Sequence, residues 1–168
     1  FPRMARKTEQ FYARYPQDVE RVAAVADYLH THEVDLPNGD RLTVERLQTL
    51  GSDFGMKPSF ERLHWLLDTA FVDGDGTASR ESPLSDAFLQ GVMTATATQP
   101  LYWPLQEFIY ANGVLDHPIS WAAQQVYDTM PAFDVQTRPL LFTGEPSFPW
   151  MFRAERPLRP AAAALSVA

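Results

Sequence analysis

The sequence predicts an all-α domain of about six to eight helices with one short β-hairpin near residues 36–42. Three observations carry that expectation. Apolar residues recur at helical spacing through most of the chain, Pro or Ser/Thr stands where those periodic segments begin, and Asn38-Gly39 is a strong hairpin signal between short flanks. At 168 residues, 45% hydrophobic and 21% charged, the chain fits a single domain with a substantial core. Its formal charge of -7 argues against sequence-independent binding of nucleic acid, which needs clustered Lys and Arg to displace counterions. No apolar run approaches the length of a membrane span, and the absence of cysteine excludes disulfides, Cys-based zinc sites and a thiol nucleophile. No cofactor is expected. With no signal-peptide pattern at the start, a cytoplasmic location is expected.

In chain order, Met4, Phe11 and Tyr15 line one face of a first helix, which Pro16 ends. The same proline suits the first turn of a second helix, with Val19, Val22, Ala23, Ala26 and Leu29 inward. His30 and His32, two residues apart, face different directions and make no metal pair. Leu36 to Leu42 carries Asn-Gly, read as a type I′ hairpin turn. Thr43 caps a third helix through Leu50, stopped by Gly51. Pro58 opens a fourth in which Phe60, Leu63, Leu67, Ala70 and Phe71 share a face, with His64 read as a packing or hydrogen-bonding residue. The polar stretch Val72 to Pro83 lacks the glycine and glutamate a calcium loop needs at its sixth and twelfth places and reads as a mobile surface loop. Ser82-Pro83 is the expected start of a fifth helix holding Leu84, Phe88 and Val92, and Ser120 the expected cap of a last long helix with Ala122, Ala123, Val126, Tyr127 and Met130 inward.

Two segments place a carboxylate among aromatic residues. Around Glu107 stand Tyr102, Trp103, Phe108 and Tyr110. Glu145 sits in Pro139 to Phe152, PLLFTGEPSFPWMF, where three prolines rule out a continuous helix and leave a rigid, aromatic-walled loop. Glu145 is then either exposed at a turn made by Gly144 or presented, partly desolvated, in a pocket.

These strings, in this order, resemble the cap domain of the proline iminopeptidases, serine peptidases of the α/β-hydrolase fold: FYARYP (Phe11 to Pro16), LPNGDRLTVERLQTLGSDFGM (Leu36 to Met56), FERLHWLLDTAF (Phe60 to Phe71), LSDAFLQGV (Leu84 to Val92), PLYWPLQEFIYANG (Pro100 to Gly113), and LLFTGE followed by PWMF. The resemblance runs nearly end to end. It implies that residues 1–168 are one helical cap, a piece of a longer hydrolase, whose α/β-hydrolase catalytic domain would be its partner. No G-x-S-x-G occurs, so the chain alone carries no catalytic residues. The resemblance further implies a lid that selects peptides with a free amino terminus, usually proline. Glu107 and Glu145 would hold the ammonium group, and Phe108, Tyr110, Phe148 and Trp150 would pack on the pyrrolidine ring. Pro146-Ser147 stands where bulkier apolar residues are expected in relatives. A lid separated from its hydrolase would also expose apolar surface and self-associate. The residues alone leave open a stand-alone helical binding module and, with Glu107 and Glu145 as an acid/base pair, a glycosidase-like enzyme.

Overall fold

A computed structural model of the chain describes residues 1–72, 83–109 and 119–165, the side chains of Glu107, Ala164 and Leu165 excepted. The described residues are helical apart from one two-stranded hairpin and an isolated bridge, so the all-α expectation holds. Helix α1 (Pro2–Arg14) buries Thr8, Phe11 and Tyr12, and Pro16 hands the chain directly to α2 (Gln17–Thr31), which buries Val22, Val25 and Ala26. Breaker and periodicity together set both boundaries.

The hairpin pairs β1 (Val34–Asp35) with β2 (Arg41–Leu42), Val34 opposite Leu42. Its turn differs from the expected type I′. Among the described non-glycine residues only Ser120 and Trp121 have positive φ, so Asn38 does not, whereas Gly39 has φ 77°. The Gly39 N–H donates to Leu36 O (2.7 Å) and the Leu36 N–H to Asp40 O (2.8 Å). This is a type I turn followed by a left-handed glycine, the usual three-residue loop; a type I′ turn on Asn38-Gly39 would pair Pro37 with Asp40, but proline has no N–H to donate, so Leu36 makes that bond and Pro37 takes the second position of type I.

Helix α3 (Val44–Gln48) begins as expected, with Thr43 Oγ1 accepting from the Arg46 N–H at 3.2 Å. Gly51 does not end it. The chain tightens into a 3₁₀ segment, Thr49–Gly55, that runs through Gly51, whose role is close approach: a Cβ there would lie 2.5 Å from both Phe142 Cβ and Thr143 O. Helix α4 (Ser59–Asp68) stops before Phe71, which instead forms an isolated antiparallel bridge with Leu84. Helix α5 (Asp86–Ala97) is capped by Ser85, whose Oγ accepts from the Phe88 N–H at 3.1 Å, three residues later than Ser82-Pro83 suggested. The bridge takes Leu84 out of helical reach. The expected loop between falls, except for its ends, outside the described residues. Helices α6 (Tyr102–Phe108), α7 (Ala122–Tyr127), α8 (Met151–Ala154) and α9 (Ala162–Leu165) complete the order. The last long helix is corrected to the short α7, which buries no residue; Ser120 and Trp121, at φ 55° and 57°, form a left-handed entry, and the cap position falls to Trp121, which makes no side-chain cap bond. No helix among the described residues is long and apolar enough to cross a membrane.

Two apolar clusters organise these elements. The larger draws on α1 to α5 around Phe11, whose ring meets Phe54, Phe60 and Phe142 with centroids 5.5, 5.6 and 5.9 Å away. The smaller is Trp103, Phe148, Met151, Phe152 and Leu158. A buried polar network ties the periphery together. Arg46, 1% exposed, donates through Nε and Nη2 to Thr96 Oγ1 (3.0 and 2.9 Å) and through Nη1 to Asp40 Oδ2 (3.4 Å), while Asp40 also accepts from the Arg156 N–H at 3.1 Å. Hairpin, α3, α5 and the segment after α8 are thereby joined by one guanidinium and one carboxylate. His64 is structural, as its position suggested: Nδ1 lies 2.9 Å from Asp18 Oδ2 and the ring stacks on Tyr15 at 4.1 Å.

Candidate functional site

The loop from Pro139 to Trp150 is neither helix nor strand, as its prolines require, yet much of it is buried, which demands partners for its backbone. Side chains supply them. Tyr12 Oη donates to Leu140 O at 2.7 Å, Gln48 Nε2 to Leu141 O at 3.0 Å, and the Phe142 N–H to Thr8 Oγ1 at 3.2 Å; the Thr143 N–H reaches Gln48 O at 2.9 Å. Ser147 Oγ donates to Trp103 O at 2.6 Å, fixing the loop to α6. Burial pushes the Tyr12 hydroxyl pKa up, with Asp18 adding to it and Arg138 opposing, which keeps it a donor.

The loop is therefore a strap across both cores. Leu140 and Phe142 enter the larger cluster, and Phe148, Met151 and Phe152 belong to the smaller. Between them Glu145 reaches the surface, with Gly144 buried and Pro146 half-buried on either side. Glu145 is exposed and has no hydrogen bond or ion pair among the described residues. Beside it opens an apolar concavity of about 370 Å³ lined by Phe1, Ala122, Ala123, Val126, Gly144 and Pro146. Glu145 does not line the hollow but stands in the chain between two residues that do, Gly144 and Pro146, and a carboxylate so placed can pair with a cation whose neighbouring carbons enter the hollow.

The other sequence-derived residues fall in different places. Phe148 is 3% exposed and packs in the smaller core, with Trp150 half-buried beside it, rings 6.2 Å apart. Phe108, 45% exposed, lies on α6 in a stripe with Leu101, Leu105 and Ile109, spaced i, i+4, i+7 and i+8. Tyr110 and the Glu107 side chain lie outside the described residues, and so does the distance between the two glutamates. Val126, read from the sequence as an inward helix residue, and Pro146, read there as a departure from relatives, line the hollow.

Comparison with known proteins bears on this arrangement. The chain is 40% identical over 163 residues to a protein named proline iminopeptidase from Aeromonas sobria, covering 95% of this chain and 36% of the relative. Nearly all of this chain is homologous to part of a proline iminopeptidase. The proline iminopeptidase aneH of Aspergillus aculeatus is 32% identical over 152 residues, 89% of this chain and 32% of the relative. The chain thus spans about a third of the length of each relative. No family model matches it.

Proposed function

We propose that residues 1–168 form a single helical lid of a longer prolyl aminopeptidase, a serine peptidase with an α/β-hydrolase catalytic domain, and that the lid selects peptides by their free N-terminal amine. The observation that carries this reading is Glu145: an exposed carboxylate without a partner, held by a rigid strap beside an apolar hollow large enough for a pyrrolidine ring. The ammonium of an N-terminal proline would pair with Glu145, with Glu107 as the second carboxylate, and the ring would enter between Val126 and Pro146. Phe108, Tyr110 and Trp150 would extend the apolar wall once the catalytic domain closes over it, while Phe148 supports the strap from inside. Relatives of about three times this length that bear the name proline iminopeptidase support the reading.

The α6 stripe supports a partner domain. Leu101, Leu105 and Ile109 are 75%, 59% and 64% exposed, a run of apolar surface that a catalytic domain of the same chain would cover. Left uncovered, it would drive self-association. The same stripe also favours a second reading, a stand-alone interaction module, which the parent reading frame separates from the first: flanking sequence with G-x-S-x-G upstream and Asp and His downstream belongs to the lid. In the full-length enzyme Glu145→Gln should lower kcat/KM for a prolyl peptide about tenfold to hundredfold, from the roughly 1.5–3 kcal/mol of a hydrogen bond to a charged group. The loss should lie mainly in KM, because the amine is held in ground and transition states alike. Unchanged kinetics would remove Glu145 from recognition.

A further inference from the structure

Helix α7 separates the hollow beside Glu145 from a second concavity. Ala122, Ala123 and Val126 face the first; Gln124 and Tyr127, on another helical face, line the second, which has a volume of about 200 Å³. The strap contributes Thr143, Phe148 and Trp150 to it, and α3 contributes Glu45. Its charge is one-sided. Glu45 and Asp134 are its ionisable carboxylates, and no Lys, Arg or His lines it. Glu45 is half-buried and has no hydrogen bond or ion pair among the described residues, while Asp134 uses Oδ1 only to accept the Gln136 N–H at 2.7 Å. The field of these carboxylates is felt inside: after burial itself, Glu45 and then Asp134 are the leading causes that push the Tyr127 hydroxyl up to about 12.

The rest of the lining is aromatic. Tyr127 and Phe148 meet edge to face at 5.5 Å, and Phe148 and Trp150 stack at 6.2 Å. One polar group in this wall is left over: Thr143 is 1% exposed, and its Oγ1 has no hydrogen-bond partner although the residue lines the concavity. A buried hydroxyl without a partner is costly unless something completes it. Carboxylates repel an anionic ligand, and Glu45 and Asp134 belong to no group of three or more His, Asp or Glu side chains, among the described residues, that could hold a metal ion. Carboxylates set among aromatic rings suit a cation that carries its own apolar skirt.

We infer that this concavity binds a small organic ammonium ion, with Glu45 and Asp134 balancing its charge, Tyr127, Phe148 and Trp150 walling its alkyl groups, and Thr143 giving polar contact at its floor. The site lies across α7 from Glu145 and, although Trp150 is also given to the wall proposed there, does not depend on the lid reading: Glu145→Gln should leave its affinity unchanged. Its test is a titration of the 168-residue chain with tert-butylammonium chloride, whose N–H groups can reach Thr143 Oγ1, followed by NMR at the Trp150 indole and the Thr143 amide, with tert-butanol as the uncharged probe of the same shape. Saturable shifts with the cation and none with the alcohol are expected, and Glu45→Gln should weaken binding about tenfold. Asp134→Asn, at an exposed position, gives a second reading of the same charge dependence if Glu45→Gln perturbs the fold, which the resonances of the His64–Asp18 pair report. No saturable shift at Trp150, equal shifts with tert-butanol, or full affinity in both variants would overturn the assignment.

Discussion

Glu155→Gln tests the buried charge network through the pH dependence of stability. Glu155 is fully buried, its Oε2 lies 3.9 Å from Arg46 Nη2, and neither carboxylate oxygen has a hydrogen-bond partner among the described residues. Burial pushes its carboxyl up from 4.5 to about 7, against the pull of Arg46 and with some help from the charge of Asp40. A folded pKa above the unfolded one means that the native state binds the extra proton between those values. The stabilisation is therefore complete below the unfolded pKa and is lost as pH rises through 7. At about 1.4 kcal/mol per pKa unit the whole effect is about 3 kcal/mol, of which roughly 2 kcal/mol should disappear between pH 5 and pH 8. Glutamine keeps the shape and has no proton to lose. Urea unfolding at the two pH values should show the variant gaining on wild type by that amount at pH 8 relative to pH 5, with all other titrating groups common to both proteins. A difference between variant and wild type that is the same at pH 5 and pH 8 would refute the raised pKa and the desolvation argument behind it.

Two further predictions concern packing and surface. Gly51→Ala puts a Cβ 2.5 Å from Phe142 Cβ and Thr143 O, both held in the strap, and should cost about 1–3 kcal/mol in thermal or urea unfolding; Gly144→Ala, whose Cβ would meet only the flexible Met4 side chain at 3.0 Å, should cost clearly less. Equal costs would mean that the strap can yield at Gly51. Leu105→Glu, at a position 59% exposed, should leave stability within about 0.5 kcal/mol of wild type and shift the isolated chain towards monomer in sedimentation velocity; a wild-type chain already monomeric at high concentration would count against the α6 stripe as a covered face.

Much of the fold was legible because local rules and burial agree. Pro16 divides α1 from α2, Thr43 caps α3, and the three prolines of the strap keep it out of a helix. Misreadings arose where a local signal had a competitor. Asn38-Gly39 pointed to type I′, but Pro37 imposes type I; Gly51 looked like a helix stop, but its missing Cβ serves the approach of Phe142. Apolar spacing after Ser120 suggested a long buried helix, although periodicity cannot say whether anything covers the face, and Val126 is 46% exposed.

The site was legible only in part, for the same reason. Aromatic residues around Glu145 read equally well as pocket wall or core, and Phe148 turned inward because Met151, Phe152 and Leu158 close over it. The second concavity left no mark in the sequence: Glu45, Tyr127, Asp134 and Thr143 come from four separate stretches, and only the strap's return past α3 and α7 brings them together. Arg46, Asp40 and Glu155 went unnoticed likewise, since Asp40 and Arg46 flank the start of α3 like ordinary surface charges and Glu155 lies over a hundred residues on.

The central claim, that this chain selects a free amine for a larger hydrolase, is tested most directly by comparing two substrates on the full-length enzyme and its Glu145→Gln variant. One is a prolyl amide with a free amino group, the other an ester of matching acyl shape without one. The account predicts a loss of about tenfold to hundredfold in kcat/KM for the amine substrate, the range for one hydrogen bond to a charged group, and nearly unchanged turnover of the ester. Equal loss on both substrates would contradict it, showing that Glu145 holds the strap in shape and takes no part in recognising the amine.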